Sequence, residues 1–120
     1  MGREQGEEMA ERFQAYEVAM EMATGLRPLL ERITRRDRDL ENQLRRSGAS
    51  VVLNIAEGAR RAGRDRQQFY RIAAGSAAET QSGLQLAVAW GYVGPDESKA
   101  ALHLVDRVLA MLWRLTHARR

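Results

Sequence analysis

The stretch QLRRSGASVVLNIAEG, residues 43–58, decides the fold of this 120-residue chain. On a helical wheel its polar residues fall within one arc of roughly 100°, and small and apolar residues take most of the rest. The polar arc consists of Gln43, Arg46, Ser47, Ser50, Asn54 and Glu57. A helix on the outside of a small protein usually has a broader charged face. The pattern therefore predicts a helix that is buried on more than one side, with a polar stripe that is hydrogen-bonded to a specific partner.

The composition is typical of one soluble helical domain. Hydrophobic residues make up 44% of the chain and charged residues 29%, with only two prolines. The absence of cysteine excludes disulfides, a thiol nucleophile and a thiolate metal site. Because the apolar runs are short and the N-terminus is polar and acidic, we expect no membrane span and no signal peptide. A cytoplasmic location is the prediction.

Hydrophobic periodicity predicts four helices in a single domain over residues 7–118, after a disordered start at residues 1–6. The apolar residues of the first helix recur at helical spacing, at Met9, Phe13, Tyr16, Met20, Ala23, Leu26, Leu30 and Ile33. Pro28 predicts a kink near residues 24–27. We expect Asp37 or Asp39 to cap the second helix and Gly58 to end it in a left-handed conformation. Asp65 and Gln68 have the spacing of a capping box at the start of the third helix.

Helices of these lengths with short connections predict an all-α, antiparallel up-down-up-down four-helix bundle. The second, third and fourth helices each carry more apolar surface than one bundle core can bury. A surplus of this kind usually marks an interface, so we expect a homo-oligomer.

Arginine is concentrated in the middle of the chain. Residues 35–71 hold ten Arg and five acidic residues, a net charge of +5, whereas residues 1–34 have a net charge of −3. The candidate nucleic-acid-binding side chains are Arg45, Arg46, Arg60, Arg61, Arg64, Arg66 and Arg71. The planar guanidinium group suits phosphate, and without an RNA-recognition motif any binding should be directed at the backbone and weaken steeply with salt. The alternative is a solvated, partly ion-paired surface with no ligand.

A second set of polar residues could be mistaken for a catalytic cluster: Ser50, Asn54, Glu57, Ser76 and Glu79. No histidine, cysteine or lysine lies near them in sequence, and the Glu-x-x-His motifs of bundle metal sites are absent. We therefore predict no catalytic residue, no metal and no cofactor, and interpret the set as a structural polar network. Buried carboxylates would need donors, for which Arg45 and Arg46 are the nearest candidates. Replacing Glu57 or Glu79 by Ala is then predicted to lower stability or to break the oligomer.

Two blocks of sequence carry a specific family resemblance. They are Gln43-Leu44-Arg45-Arg46 with Ser50-Val51 and Asn54-Ile55-Ala56-Glu57-Gly58, and Gly75-Ser76 with Glu79. Over residues 13–115 the chain resembles the four-helix-bundle proteins encoded by intervening sequences of bacterial 23S ribosomal RNA genes. It departs from their pattern at Ile33-Thr34-Arg35-Arg36, where a Phe-Pro turn is common. It departs again at Ala74, where a basic residue is frequent.

The resemblance implies a ring-like homopentamer without known catalytic activity. It also implies a distant relation to the accessory variability determinant of diversity-generating retroelements, a basic pentamer that binds a reverse transcriptase and nucleic acid. Two functions follow as hypotheses: binding of RNA or DNA through the basic loops, or an adaptor that holds a partner such as a reverse transcriptase. A purely structural ring is the third possibility.

Overall fold

The computed structural model describes residues 2–117, apart from the side chains of Arg3 and Glu4, and four helices account for nearly all of this range. They are α1 (Gly2–Thr34), α2 (Arg38–Ala59), α3 (Gly63–Ala89) and α4 (Pro95–Thr116). The all-α prediction of four helices is confirmed. Residues 2–6 belong to α1, and the predicted domain bounds of residues 7–118 stay a prediction. Met1 and residue 118 of the expected domain lie outside the described residues.

Local chemistry sets the helix ends. Asp37 caps α2 by accepting a hydrogen bond from the Leu40 amide at 3.0 Å, as predicted. At the start of α4, the Glu97 carboxylate accepts the Gly94 amide at 2.7 Å, and Pro95 occupies the first turn. Helix α1 is continuous through Pro28, so the chain does not break into two helices there.

Two predicted boundaries are wrong. Gly58 lies inside α2 and has no positive φ; the helix ends at Ala59, with Arg60 as its cap. Asp65 does not cap α3, because the helix already begins at Gly63, where φ is +60°, and Ala62 occupies the cap position. The connection between α2 and α3 therefore consists of residues 60–62.

The core is formed by one face of each helix, and on α1 only the second half of the predicted stripe, with Leu26 and Ile33, belongs to this face. The first half of the predicted stripe, formed by Met9, Phe13, Tyr16 and Met20, is exposed. The buried residues of α1 are Ala15, Val18, Ala19, Met22, Leu26, Leu29 and Ile33. On a helical wheel the two sets lie on opposite sides, so α1 has apolar surface facing both the core and the outside.

Each helix packs against two neighbours, α1 against α2 and α4, and α3 against α2 and α4. Contacts between α2 and α3 pair rising residue numbers in one helix with falling numbers in the other, as in Leu44 with Gly83 and Gly58 with Tyr70. The body measures 51 × 23 × 19 Å. Its long axis matches the length of the 33-residue α1, at about 1.5 Å per residue.

Candidate nucleic-acid interface

Serine and threonine hydroxyls join α2 to α3 along their line of contact. The Ser50 and Ser76 hydroxyl oxygens are 2.7 Å apart, and the Asn54 amide donates to the Ser50 oxygen at 3.0 Å. One helical turn away, the buried hydroxyls of Ser47 and Thr80 form a second 2.7 Å pair. The structure therefore brings three of the five predicted network residues together. The structure also shows the Ser47–Thr80 pair, which the sequence analysis missed. The signal for it is the spacing: Ser47 lies one helical turn before Ser50 on α2, and Thr80 lies one turn after Ser76 on α3.

The two carboxylates of the predicted network lie elsewhere. Glu79 is exposed, so the premise that it is buried is wrong. Glu57 is half-buried and binds Arg61, with 2.8 Å from its Oε2 to the guanidinium Nη2. Arg45, one of the expected partners of these carboxylates, instead pairs with Glu41 at 3.1 Å. The hydroxyl pairs between α2 and α3 are therefore formed without Glu57 or Glu79.

A groove follows the outer side of this contact line. One part, of about 460 Å³, lies between Leu40 and Leu44 on α2 and Gly83 and Leu86 on α3, and Trp90, which caps the end of α3, also lines it. An adjoining part, of about 350 Å³, is lined by Arg46, Ser50 and Ser76. Both parts share Gln43, Ser47 and Glu79, so they form one continuous depression, which we call the α2–α3 groove.

Some of the seven predicted arginines bind carboxylates or a carbonyl of the same chain, and the others are exposed to solvent. Arg61 lies between Glu57 and Asp65, at 2.8 Å and 3.3 Å, with its guanidinium carbon 5.0 Å from the centre of the Phe69 ring. The hydrogen bond to Glu57 raises the pKa of this guanidinium above its ordinary value. Arg66 donates its Nε hydrogen to the Gly58 carbonyl at 3.3 Å. These two side chains stabilise the connection between α2 and α3.

The available arginines are exposed. Arg64 and Arg71 lie seven residues apart on α3, hence on one face and about 10 Å apart along the helix, and neither forms an ion pair within the described residues. The Arg60 side chain is 78% exposed, with Glu57 only at 3.9 Å. Arg46 is exposed on the rim of the α2–α3 groove. The positive charge of this region is thus open to an anionic partner.

Among residues 5–117, no three His, Cys, Asp or Glu side chains come together in a way that could hold a metal ion. In the same part of the chain, no helix is long and apolar enough to cross a membrane.

The fold and its surface define an all-α four-helix protein whose α2 and α3 are joined by hydroxyl pairs and flanked by exposed arginines. The sequence matches the model of the 23S rRNA-intervening sequence protein family over residues 11–114, and the chain belongs to that family. A comparison with curated proteins gives no match.

A solved structure shares the fold. It is the crystal structure of a protein of unknown function from the S23 ribosomal protein family of Bacteroides thetaiotaomicron, with 20% sequence identity and a TM-score of 0.80. The similarity covers 87% of this chain and 99% of that one. The two proteins therefore have the same arrangement of helices.

Proposed function

We propose that this protein is a non-enzymatic, oligomeric helical bundle that binds RNA or DNA along the phosphate backbone through the arginines beside the α2–α3 connection. In this proposal the helices run in antiparallel up-down order and the subunits form a homopentameric ring. The opposite numbering of the α2–α3 contacts supports the helix order. The family's name connects these proteins with intervening sequences of 23S ribosomal RNA.

The observation that carries the proposal is the exposure of Arg60, Arg64 and Arg71 beside one short connection. Guanidinium groups donate two parallel hydrogen bonds to phosphate oxygens, and their release of counterions drives binding. The two aromatic residues nearest in sequence to these arginines offer no open face for base stacking, because Phe69 is covered by Arg61 and Tyr70 is buried. The contacts should therefore be with phosphates, with little dependence on sequence.

Repetition of the surface supplies the affinity. Three screened arginines on one subunit bind weakly, but copies arranged in an oligomer engage one strand together and raise the effective concentration. The adaptor function, in which the partner is a reverse transcriptase, stays a prediction, as does the cytoplasmic location.

The test is fluorescence anisotropy with a labelled single-stranded RNA at about 50 mM and about 200 mM salt. The triple variant Arg60→Glu, Arg64→Glu, Arg71→Glu should weaken binding at least tenfold. The matched control Arg27→Glu, Lys99→Glu, Arg107→Glu makes the same charge change at exposed positions elsewhere and should weaken it far less. No binding by the unmodified protein at the lower salt concentration, or equal losses in both variants, would refute the proposal.

A further inference from the structure

Trp113, near the end of α4, presents an open aromatic face to solvent. The indole is 60% exposed although the His117 imidazole covers one of its faces, with the ring centroids 4.3 Å apart and the planes at 10°. The other face of the indole is therefore open, and we call the two stacked rings the α4 platform. An indole that stays this exposed contributes little to the core, but its flat face can stack against another planar group.

The end of α4 holds the two rings in this arrangement. The Nδ1 atom of His117 lies 2.9 Å from the carbonyl oxygen of Trp113. Because a carbonyl oxygen only accepts, Nδ1 carries the hydrogen of this bond, which also satisfies one of the last carbonyls of the helix. The platform is thereby oriented before a ligand binds, and this lowers the entropic cost of binding.

Two hydrogen bonds between α3 and α4 fix the position of the platform. The Gln67 amide donates to the Leu115 carbonyl at 3.0 Å, and the Gln81 amide donates to the Asp106 carboxylate at 2.6 Å. Residue numbers therefore rise along α3 as they fall along α4. Trp113 is seven residues after Asp106, within about 20° of it on the helical wheel, so it lies on the side of α4 that borders α3.

Arg64 and Arg71 lie on the matching side of α3. On the helical wheel they are about 60° and about 40° from Gln67, the residue that contacts α4. By the register of that contact, Arg71 is level with Trp113 to within about 3 Å along the helix axes. Arg64 is level with His117 to within about 2 Å. The two exposed arginines and the two rings therefore lie side by side on one face of the bundle.

The charge of this face suits an anionic strand. Arg64 and Arg71 are exposed and form no ion pair within the described residues. Of the carboxylates nearest in sequence, Asp65 is bound by Arg61 at 3.3 Å, and Asp106 accepts the hydrogen bond from α3. Packed helices are about 8–10 Å apart, so a base on the platform and a phosphate on an arginine can belong to the same strand.

We propose that the α4 platform stacks against an unpaired base of single-stranded RNA or DNA whose phosphates are bound by Arg64 and Arg71. The inference rests on the proposed function and adds a base contact to its phosphate contacts. Stacking is tolerant of sequence because every base has a planar face, so binding still depends little on sequence. A base that is stacked and paired inside a duplex is not free to lie on the platform, and the site therefore selects single strands.

Two strands of equal length isolate the base contact. One is oligodeoxythymidylate, and the other has the same phosphates but abasic sites in place of the bases. By fluorescence anisotropy at about 50 mM salt, the unmodified protein should bind the base-bearing strand at least about fivefold more tightly. Trp113→Ala should bind both strands equally, with its affinity for the abasic strand unchanged. Trp113→Phe should keep most of the preference, because a phenyl ring also stacks.

Trp90→Ala is the matched control. Trp90 is 55% exposed, much like Trp113, but it lies at the other end of α3, about 28 Å along the helix from Arg71. This variant should keep the full preference for the base-bearing strand. In Trp90→Phe, Trp113 is the only tryptophan of the chain. Its emission should be quenched by the base-bearing strand and not by the abasic one.

Three results would overturn the inference. If the unmodified protein binds the two strands equally, the phosphate contacts of the proposed function stand and only the base contact is removed. If Trp113→Ala weakens binding of both strands by the same factor, Trp113 supports the fold or the assembly and does not contact a base. If the unmodified protein binds neither strand, the proposed function fails together with this inference.

Discussion

Gly58 has a packing role in this structure instead of ending a helix. A Cβ atom at this position would lie 2.7 Å from Cε1 and 2.9 Å from Cδ1 of Tyr70, whose ring is fully buried. Because the ring is fixed on all sides, α2 would have to move away from α3. We expect Gly58→Ala to lower the free energy of unfolding by about 1–3 kcal/mol, measured by urea denaturation.

Gly75→Ala is the matched control, since a Cβ atom at Gly75 would meet nothing within 4 Å. Alanine favours the helix over glycine there by about 0.5–1 kcal/mol, so this variant should be slightly more stable than the unmodified protein. Equal effects of the two substitutions would show that backbone propensity, and not the close approach of α2 and α3, determines the outcome.

The same Tyr70 predicts a loss of stability in alkali. Burial raises the pKa of its hydroxyl above the ordinary value of 10.0, although Arg12 and Arg66 act in the opposite direction. The folded protein therefore keeps this proton at a pH where the unfolded chain has lost it. This contribution to stability is complete below about pH 10 and declines as the pH rises above that value.

Tyr70→Phe should remove this part of the pH dependence. Within the described residues the hydroxyl has no hydrogen-bond partner, so the variant should match the unmodified protein within about 1 kcal/mol at pH 7. Between pH 9.5 and 11 the variant should lose less stability, as measured by urea denaturation at each pH. Parallel curves for the two proteins would assign the alkaline loss to other groups, such as Tyr92, whose pKa burial also raises.

At the scale of the helices, periodicity predicts that α1 exists and that Leu26 and Ile33 are buried, but it does not identify the buried side of the first half of the helix. Met9, Phe13, Tyr16 and Met20 form the more conspicuous apolar line, because their side chains are larger than those of Ala15, Val18 and Ala19. A close-packed interface with α2 and α4 selects the smaller residues, since they let the helix axes approach. The sequence contains both lines, and only the packing of the neighbouring helices decides between them.

Helix α2 was easier to predict because its side chains carry more information. The small polar residues Ser47, Ser50 and Asn54 indicate a specific partner, and the matching Ser76 on α3 identifies it. The positions of Glu57 and Glu79 could not be predicted in the same way. A carboxylate placed at a seam can turn toward a local arginine, as Glu57 does toward Arg61, or toward water, as Glu79 does.

At the scale of the whole molecule, the candidate binding side chains lie at one end. The α2–α3 connection carries Arg60, Arg64 and Arg71, whereas the α2–α3 groove runs from Ser50 toward the connection between α3 and α4. In the proposed oligomer each subunit contributes one such set of arginines, so assembly should strengthen binding.

This arrangement predicts how salt dependence changes with assembly. For single-stranded nucleic acid, the logarithm of the binding constant falls with the logarithm of salt by about 0.7 per neutralised phosphate, so three arginines on one subunit give a slope near −2. An oligomer that engages several subunits should give a slope of several units. A short RNA that reaches only one subunit should keep the slope of about −2.

The measurement is anisotropy with a single-stranded RNA long enough to reach several subunits, titrated at four salt concentrations. At the lowest salt this long RNA should bind at least tenfold more tightly than the short one, since it engages several subunits at once. The triple variant Arg60→Glu, Arg64→Glu, Arg71→Glu serves as the control and should lose the difference between the two RNAs. If the unmodified protein gives the same slope on both RNAs, the whole binding surface lies within one subunit, and the ring adds nothing to affinity.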